Sequence, residues 1–400
     1  MKRLNSIFKM DKKNRHQILL WLIGGLILTF ATEIFLRGSV KEVVSWVKET
    51  PGVMLANYLL ILMLTSIFFL AKRKYMVYFI SFVVILGVSI TTFFLMKVRG
   101  TPLTFSDLYS IGEAMEIADK YINPTIIIIG IVCIAFLVVF CVFLYKLDGD
   151  TKRFKLINFV LVFVVSAVFF TTVKSQQAKN IMVYKRWDIP ASYKCNGLTY
   201  STVESCLKYI RTKPNDYSQS KIAKIKEKVD KAEANDNRKL NKNKPNVLFV
   251  QLEAFMDPET IKGVKYSEDP IPNFRKLTKL YTSGMANVPT TGGGTVRTEF
   301  EVMTGNNIDY LTPGEIPYST ILKSKYYNSV ATTLSSQGYE THAVHNFQGN
   351  FYGRNNAYGK LGFGDFTSQE YMSGYELNER NWIKDKILTK YIKKALDSTE

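Results

Sequence analysis

The chain has 400 residues, enough for two or more domains, and 47% of them are hydrophobic. Its net charge of +18 at pH 7 would suit a nucleic-acid-binding protein. The long apolar runs lie almost entirely before residue 174, however, and basic residues that flank membrane spans explain the charge better because they face anionic lipid headgroups. The four cysteines and three histidines form no cluster typical of a zinc site. The composition therefore favours a membrane protein and argues against a nucleic-acid partner.

Five apolar runs in the first part of the chain each have about 20 residues, the length that a helix needs to cross the hydrocarbon core. They are Ile18–Leu36, Val53–Ala71, Tyr75–Met96, Ile126–Tyr145 and Leu156–Val173. The first run is too long, and too poor in cleavage-site residues, for a typical signal peptide. Thirteen Lys and Arg residues lie on the side of the N-terminus and six on the other side. The positive-inside rule therefore predicts a multi-pass cell-membrane protein whose residues after 174 are extracellular.

The outer loop Lys97–Asn123 contains the run RGTPLTFSDL at positions 99–108. Its Gly and Pro predict a turn, and Ser106 is a candidate cap for a helix that begins near Asp107. We interpret the loop as a connecting re-entrant or interfacial helix. A surface that binds a lipid headgroup or a substrate is the alternative.

Residues 175–245 form a charged connector, in which Lys221–Leu240 predicts a solvated helical spacer. Cys195 and Cys206 lie in this connector. If the region is extracellular they could form a disulfide, and free thiols are the equal alternative.

From Asn246 onward the pattern alternates between strand and helix, which predicts an α/β domain with a largely parallel sheet. The predicted strands are Val247–Leu252 and Glu340–His345. The predicted helices are Pro272–Ser283, Thr295–Met303, Tyr327–Ser336 and Trp382–Leu396.

Two elements of this domain are candidates for phosphate chemistry. Glu253 ends the apolar run NVLFVQL, where a carboxylate is costly unless it is paired with a cation or bound to a metal. Thr295 follows three glycines and begins a predicted helix. Backbone N–H groups of Gly292–Gly294 and the helix N-terminus could bind an anion there, and a metal could activate the threonine hydroxyl. The alternatives are a structural ion pair for Glu253 and a simple helix cap for Thr295.

A third element is the run HNFQGNFYGR at positions 345–354, which follows the second predicted strand. Ligands of open α/β sheets bind at the carboxyl ends of strands. His345, Tyr352 and Arg354 could there bind a phosphate and a small polyol, since arginine suits bidentate phosphate contacts. A polar loop with an aromatic anchor is the alternative.

Together these features resemble the lipoteichoic acid synthase family, which are polyglycerol-phosphate transferases of the alkaline phosphatase/sulfatase superfamily. The resemblance covers the five-span part, the RGTPLTFSDL loop, the connector around KPNDYS at positions 213–218, and residues 246–305. It implies a multi-pass helical membrane domain at residues 1–174, an extracellular helical connector at 175–245, and the N-terminal part of a sulfatase-like catalytic domain at 246–400.

The resemblance also implies roles for individual residues. Glu253 matches a metal ligand, and Thr295 matches a residue that is both nucleophile and metal ligand. His345, Tyr352 and Arg354 resemble the glycerol-phosphate pocket, to which we add Gly294. Tyr352 stands where the family has tryptophan, and Val296-Arg297 departs from the polar, acidic continuation of its best-known members.

An adjacent Asp-His pair, which the family uses as further metal ligands, does not occur in this sequence. We therefore expect the chain to be a fragment cut at Glu400, with a degenerate non-catalytic member as the alternative.

The expected function is transfer of glycerol phosphate from a phosphatidylglycerol-type lipid to a glycolipid or a growing polyglycerol-phosphate polymer, with Mn²⁺ or Mg²⁺ as the cofactor. A phosphoethanolamine transferase, a sulfatase-like hydrolase and a non-catalytic protein that binds wall polymer are the alternatives. A sulfatase requires a modifiable Cys or Ser as its nucleophile, so Thr295 argues against that reading.

Overall fold

The computed structural model describes residues 12–112, 115, 124–147, 156–185, 188–210, 216–234, 244–252, 255–288 and 294–399. The long helices lie in the first part of the chain. They are α1 (Lys12–Arg37), α2 (Val40–Glu49), α3 (Pro51–Thr65), α4 (Lys74–Val98), α5 (Pro124–Leu147) and α6 (Leu156–Ala178). All of these except α2 are long and apolar enough to cross a membrane, with a 3-10 turn extending α3 to Leu70. The five predicted spans are therefore confirmed as helices of sufficient length and apolar composition.

The connector contains the helices α7 (Ile189–Asn196), α8 (Leu198–Lys208) and α9 (Gln219–Ala234). Helix α9 confirms the predicted spacer as far as Ala234, and its described side chains are exposed. Residues 235–243 lie outside the described part of the chain. Cys195 and Cys206 are free thiols in this structure, so the disulfide that the sequence left open does not form here.

Two buried polar side chains hold the connector against the apolar helices. Glu33 on α1 accepts a hydrogen bond from the backbone N–H of Leu198 at 2.7 Å. Asn57 on α3 accepts the N–H of Tyr200 at 3.0 Å and donates to the carbonyl of Asn196 at 2.8 Å. A buried carboxylate or amide is costly without such partners. These bonds therefore determine where the chain leaves the bundle of apolar helices.

The loop after α4 is folded by its own side chains. Arg99 donates to both carboxylate oxygens of Asp107, at 2.7 and 2.8 Å. Asp107 also accepts the backbone N–H of Thr104 at 2.6 Å, and Thr104 is the cap of the 3-10 helix Phe105–Ser110. The prediction that Ser106 caps a helix here is wrong. Thr104 has the extended backbone conformation that a cap requires. Ser106 lies inside the 3-10 helix, and its hydroxyl bonds to Pro313 instead.

This loop joins the apolar helices to the C-terminal domain. The Tyr193 hydroxyl of α7 donates to the Leu103 carbonyl at 2.8 Å, which fixes the loop from the connector side. The Ser106 hydroxyl donates to the Pro313 carbonyl at 2.8 Å on the other side. Gly314 has a left-handed φ of +75°, and a Cβ there would lie 2.8 Å from the Thr104 Oγ1. The chain thus approaches the loop at a position where only glycine fits.

We expect Gly314→Ala to release the loop. Alanine would be strained in the left-handed conformation and would also clash with Thr104, at a combined cost of about 1–3 kcal/mol. Hydrogen exchange of the amides in 99–107, followed by mass spectrometry, should become faster. Gly263→Ala is the matched control, because Gly263 has a φ of +84° with open space around it. Equal protection of the loop in both variants would contradict this docking.

The C-terminal domain combines short helices with a small parallel sheet. Its elements are α10 (Pro272–Leu280), α11 (Val296–Thr304), α12 (Val330–Ser335), β1 (His342–Val344), α13 (Arg354–Lys360), β2 (Asp365–Thr367) and α14 (Lys386–Asp397). Strands β1 and β2 pair in parallel, with Ala343 opposite Phe366. Helix α13 lies between them in sequence, as a parallel connection requires. The predicted α/β class is confirmed, although the described part of the sheet is small.

The four predicted helices and the second strand form, with shifted boundaries. Helix α10 ends before Gly284 because Tyr281 is already extended. Helix α12 begins late because the Ser329 hydroxyl accepts the N–H groups of Ala331 and Thr332 and so caps it. Helix α14 begins after Trp382 because the neighbouring Ile383 forms an antiparallel bridge with Leu377.

The predicted first strand is not a strand in the structure. Residues 244–252 have no regular secondary structure, and Leu248, Val250 and Leu252 are exposed by 57%, 59% and 53%. An isolated strand gains neither ladder hydrogen bonds nor burial. The described sheet consists of β1 and β2 and does not include this segment.

A compact core lies behind the start of α11. Val296 and Phe300 of α11 pack with Ala343 of β1 and with Ala357 and Leu361 near α13, all with exposures of 8% or less. Burying the Val296, Phe300 and Leu361 side chains contributes roughly 1.5–3 kcal/mol each. This core fixes the position of the residue at the N-terminus of α11, which is Thr295.

Candidate active site

Thr295 immediately precedes α11, at the N-cap position, and is partly buried. The preceding residue, Gly294, is buried and has a φ of +76°. This conformation is one that glycine adopts without strain. The Thr295 side chain makes no capping hydrogen bond to α11. The structure therefore argues against the reading of Thr295 as a simple helix cap.

Two parts of the predicted site lie outside the described residues. They are the carboxylate of Glu253 and the turn that contains Gly292 and Gly293. Among the residues that the structure describes, no three His, Cys, Asp or Glu side chains are grouped so that they could hold a metal ion. Of the two predicted ligands, the structure thus places Thr295 alone.

Arg354 is buried, with a side-chain exposure of 2%, at the start of α13. Its Nη2 donates to the Glu299 Oε1 of α11 at 2.9 Å, and the Tyr358 hydroxyl donates to the other carboxylate oxygen at 3.2 Å. Burial opposes the charge of Arg354, but attraction by Glu299 outweighs it and raises the Arg354 pKa above its ordinary value. Burial also raises the pKa of Tyr358. Arg354, which the sequence predicts to bind phosphate, is thus engaged in an internal ion pair.

Tyr352 has an unusual backbone conformation. Its φ of +57° lies in the left-handed region, which is uncommon for a residue with a bulky side chain. The ring lies 5.4 Å from the Arg354 guanidinium carbon and 4.4 Å from the Phe351 ring. Strain of this kind persists where the surrounding structure enforces it and is concentrated at functional sites. The structure brings Tyr352 and Arg354 together as the sequence predicts.

His345 follows β1 and lies in the same neighbourhood. Its backbone N–H donates to the Thr367 carbonyl at 2.9 Å, and its Nδ1 accepts the Phe347 N–H at 3.1 Å. Burial, aided by the positive charge of Arg354 and opposed by Glu299 and Asp385, lowers the pKa of His345 to about 4. The imidazole is therefore neutral at pH 7, with Nδ1 as an acceptor and Nε2 as the protonated nitrogen.

We expect His345 to make the fold sensitive to acid. Its pKa falls from 6.5 to about 4 on folding, so between these values the unfolded chain binds more protons than the folded one. Stability should therefore decrease as the pH falls from 6.5 to 4, and this contribution should be constant above pH 6.5. Thermal unfolding of His345→Gln across this range should show a smaller pH dependence than the wild type. An unchanged slope in His345→Gln would refute the assignment.

Arg297 is a site residue that the sequence interpretation missed. A Cβ at Gly294 would lie 3.3 Å from the Arg297 Nε and 3.6 Å from its Nη2, so the guanidinium lies on the backbone just before Thr295. Burial lowers the Arg297 pKa, and its charge interacts with Tyr352 and with Arg99 and Asp107 of the outer loop. The sequence could have indicated this residue, because it places an arginine in the first turn of a predicted helix. A cation is unfavourable there because the helix N-terminus is already positive.

Comparison with known proteins finds a family match in the C-terminal part of the chain. Residues 245–400 match the family model described as Sulfatase. The chain is also 31% identical over 214 residues to a putative cyclic beta-1,2-glucan modification protein of Rhizobium meliloti (strain 1021), a match that covers 54% of this chain and 32% of the relative. The matched region thus spans about a third of the relative's length. No solved structure matches the chain.

Members of the alkaline phosphatase/sulfatase superfamily are typically enzymes and generally depend on divalent metal ions. By the family match, residues 245–400 are a sulfatase-family domain. Within the part of the chain that the structure describes, this domain follows five helices that are long and apolar enough to cross a membrane.

Proposed function

We propose that this protein is a membrane-bound phosphoglycerol transferase with Thr295 as its nucleophile. The observation that carries the proposal is the position of Thr295 in a sulfatase-family domain. Its hydroxyl follows a buried left-handed glycine, makes no capping bond, and lies at a helix N-terminus. Such a terminus favours an anionic group. A sulfatase would require Cys or Ser at this position, so we favour a transferase.

In the proposed first step the Thr295 Oγ attacks the phosphorus of phosphatidylglycerol. The Oγ–P bond forms, the P–O bond to diacylglycerol breaks, and the proton from Thr295 ends on the diacylglycerol hydroxyl. In the second step an acceptor hydroxyl attacks the same phosphorus, the acceptor O–P bond forms, the Thr295 Oγ–P bond breaks, and the proton from the acceptor ends on the Thr295 hydroxyl. Splitting the transfer into two displacements is the usual advantage of a covalent intermediate.

The proposed acceptor is a hydroxyl group of a saccharide or polyol. A glycolipid or a growing polyglycerol-phosphate chain fits the resemblance to the lipoteichoic acid synthases. The printed name of the Rhizobium relative adds a glucan as a second candidate. Neutral His345 and Tyr352, close to Arg354 in the loop after β1, are the proposed contacts to the glycerol moiety.

The proposed cofactor is Mn²⁺ or Mg²⁺, both of which prefer oxygen ligands. Glu253 and the Thr295 hydroxyl are the proposed ligands, and further ligands would be needed to complete the coordination. A bound metal would lower the pKa of the hydroxyl and offset the phosphate charge. We further propose that the sulfatase-family domain faces the outside of the cell membrane.

The test is a headgroup assay with the full chain in liposomes. Phosphatidylglycerol and phosphatidylethanolamine, each labelled in the headgroup, are supplied in parallel with a glycolipid or a cyclic glucan as the acceptor. We expect diacylglycerol release and transfer of label from phosphatidylglycerol. Release from phosphatidylethanolamine instead would identify a phosphoethanolamine transferase. Binding of anionic polymer without any lipid turnover would indicate the non-catalytic alternative.

A further inference from the structure

Arg297 occupies a position that electrostatics disfavours in the absence of a ligand. It lies in the first turn of α11, where the helix N-terminus repels a cation. It is also partly buried, and its Nε is buried without a hydrogen-bond partner. Neither the helix nor the burial stabilises this charge. An arginine in such a place is explained if it binds an anion.

The nearby carboxylates are already used by other groups. Asp107 accepts two bonds from Arg99 and one from the Thr104 backbone. The Glu301 Oε1 accepts the Ile308 N–H at 2.9 Å. Within the described part of the chain, Arg297 has no carboxylate at ion-pair distance.

Arg297 also faces space that a ligand could occupy. It lines a pocket of about 190 Å³ together with Asn307, Thr312 and three carboxylates, those of Glu301, Asp309 and Glu315. The Glu315 carboxylate accepts hydrogen bonds from the Thr312 N–H and hydroxyl and from the Thr320 hydroxyl. The outer loop closes one side of this region, since Ser106 is hydrogen-bonded to Pro313. Arg354, in contrast, is 2% exposed and is paired with Glu299. Of the two arginines, Arg297 is the one with donors available for a phosphate.

We propose that Arg297 binds the phosphate group of the substrate next to Thr295. The guanidinium lies over Gly294, so it could donate two parallel hydrogen bonds to phosphate oxygens beside the attacking hydroxyl. The incoming negative charge would offset the unpaired cation and the positive helix terminus together. This inference rests on the proposed function for the identity of the phosphate, which is that of a glycerophosphoryl headgroup.

The test measures binding rather than turnover, by isothermal titration of the full chain in detergent. The probes are sn-glycerol 1-phosphate, inorganic phosphate and glycerol. We expect the wild type to bind glycerol phosphate more tightly than inorganic phosphate and not to bind glycerol. Arg297→Gln should raise the Kd for glycerol phosphate at least about 10-fold, because loss of one charge-assisted hydrogen bond weakens binding by about this factor. Arg297→Lys, which keeps the charge and loses the planar fork, should bind with intermediate affinity.

Two controls separate binding from folding. Arg275→Gln removes a surface arginine that is ion-paired with Asp257, and it should leave phosphate binding unchanged. Arg297→Gln should unfold at a temperature equal to or above that of the wild type, because it removes an unpaired buried charge. A loss of thermal stability would indicate a structural role and overturn the proposal. Wild-type affinity in Arg297→Gln, or no binding of glycerol phosphate by the wild type, would overturn it as well.

Failure of the proposed function would be visible separately. If phosphatidylglycerol is not cleaved but glycerol phosphate binds in an Arg297-dependent manner, the phosphate site stands and the donor assignment is wrong. If inorganic phosphate binds as tightly as glycerol phosphate, the site takes a free phosphate, and the inference of a glycerophosphoryl ligand is wrong.

Discussion

Thr295→Ala is expected to abolish phosphoglycerol transfer, lowering turnover by at least about 10³-fold, because no nucleophile remains at the N-terminus of α11. The loss should occur without unfolding, since Val296 and Phe300 carry the packing of this helix end. Diacylglycerol release from phosphatidylglycerol measures the first effect, and a thermal melt measures the second. Thr295→Ser is the matched variant, because it keeps a hydroxyl and should retain part of the activity. A fully active Thr295→Ala protein would remove Thr295 from the mechanism.

Arg354→Ala is expected to cause the largest loss of stability, on the order of 3–5 kcal/mol, because Glu299 would be left as an uncompensated buried charge. The pair joins α11 to α13, so its loss should also loosen the core behind Thr295. Chemical denaturation of the purified chain measures the change. Glu299→Gln combined with Arg354→Met removes both charges and should recover much of the lost stability.

Arg275→Ala is the control for the loss of an arginine ion pair. Arg275 pairs with Asp257 and Asp269 on the surface, and its removal should cost much less because such pairs are screened by water. If Arg354 instead serves mainly as an exposed phosphate ligand, Arg354→Ala would lower activity and leave the denaturation curve unchanged. That outcome would contradict the buried pair.

The features that the sequence predicted well are local ones. The five apolar spans are visible because hydropathy is a property of each run by itself. The start of α11 is visible because Gly294 and Thr295 carry the signal for a turn and a helix N-terminus within a few residues. His345, Tyr352 and Arg354 belong to one short run after a strand, so their proximity was also predictable.

The features that the sequence did not predict depend on distant partners. Residues 247–252 have strand composition, but a strand requires a neighbour that the run itself does not specify. The pairing of Arg354 with Glu299 joins residues 55 positions apart, and nothing in either segment identifies the other. The contact of Ser106 with Pro313 crosses 207 positions. For Arg297 the sequence shows one unusual feature, which is a cation at the positively polarised N-terminus of a predicted helix.

The measurement that tests the central claim most directly is the mass of the peptide containing Thr295. The full chain is incubated with phosphatidylglycerol in the absence of an acceptor, quenched in acid, digested and analysed by tandem mass spectrometry. We expect a glycerophosphoryl group on the Thr295 hydroxyl, and its absence from the Thr295→Ala protein. Release of diacylglycerol with the modification on another residue, or with no covalent intermediate at all, would contradict the account.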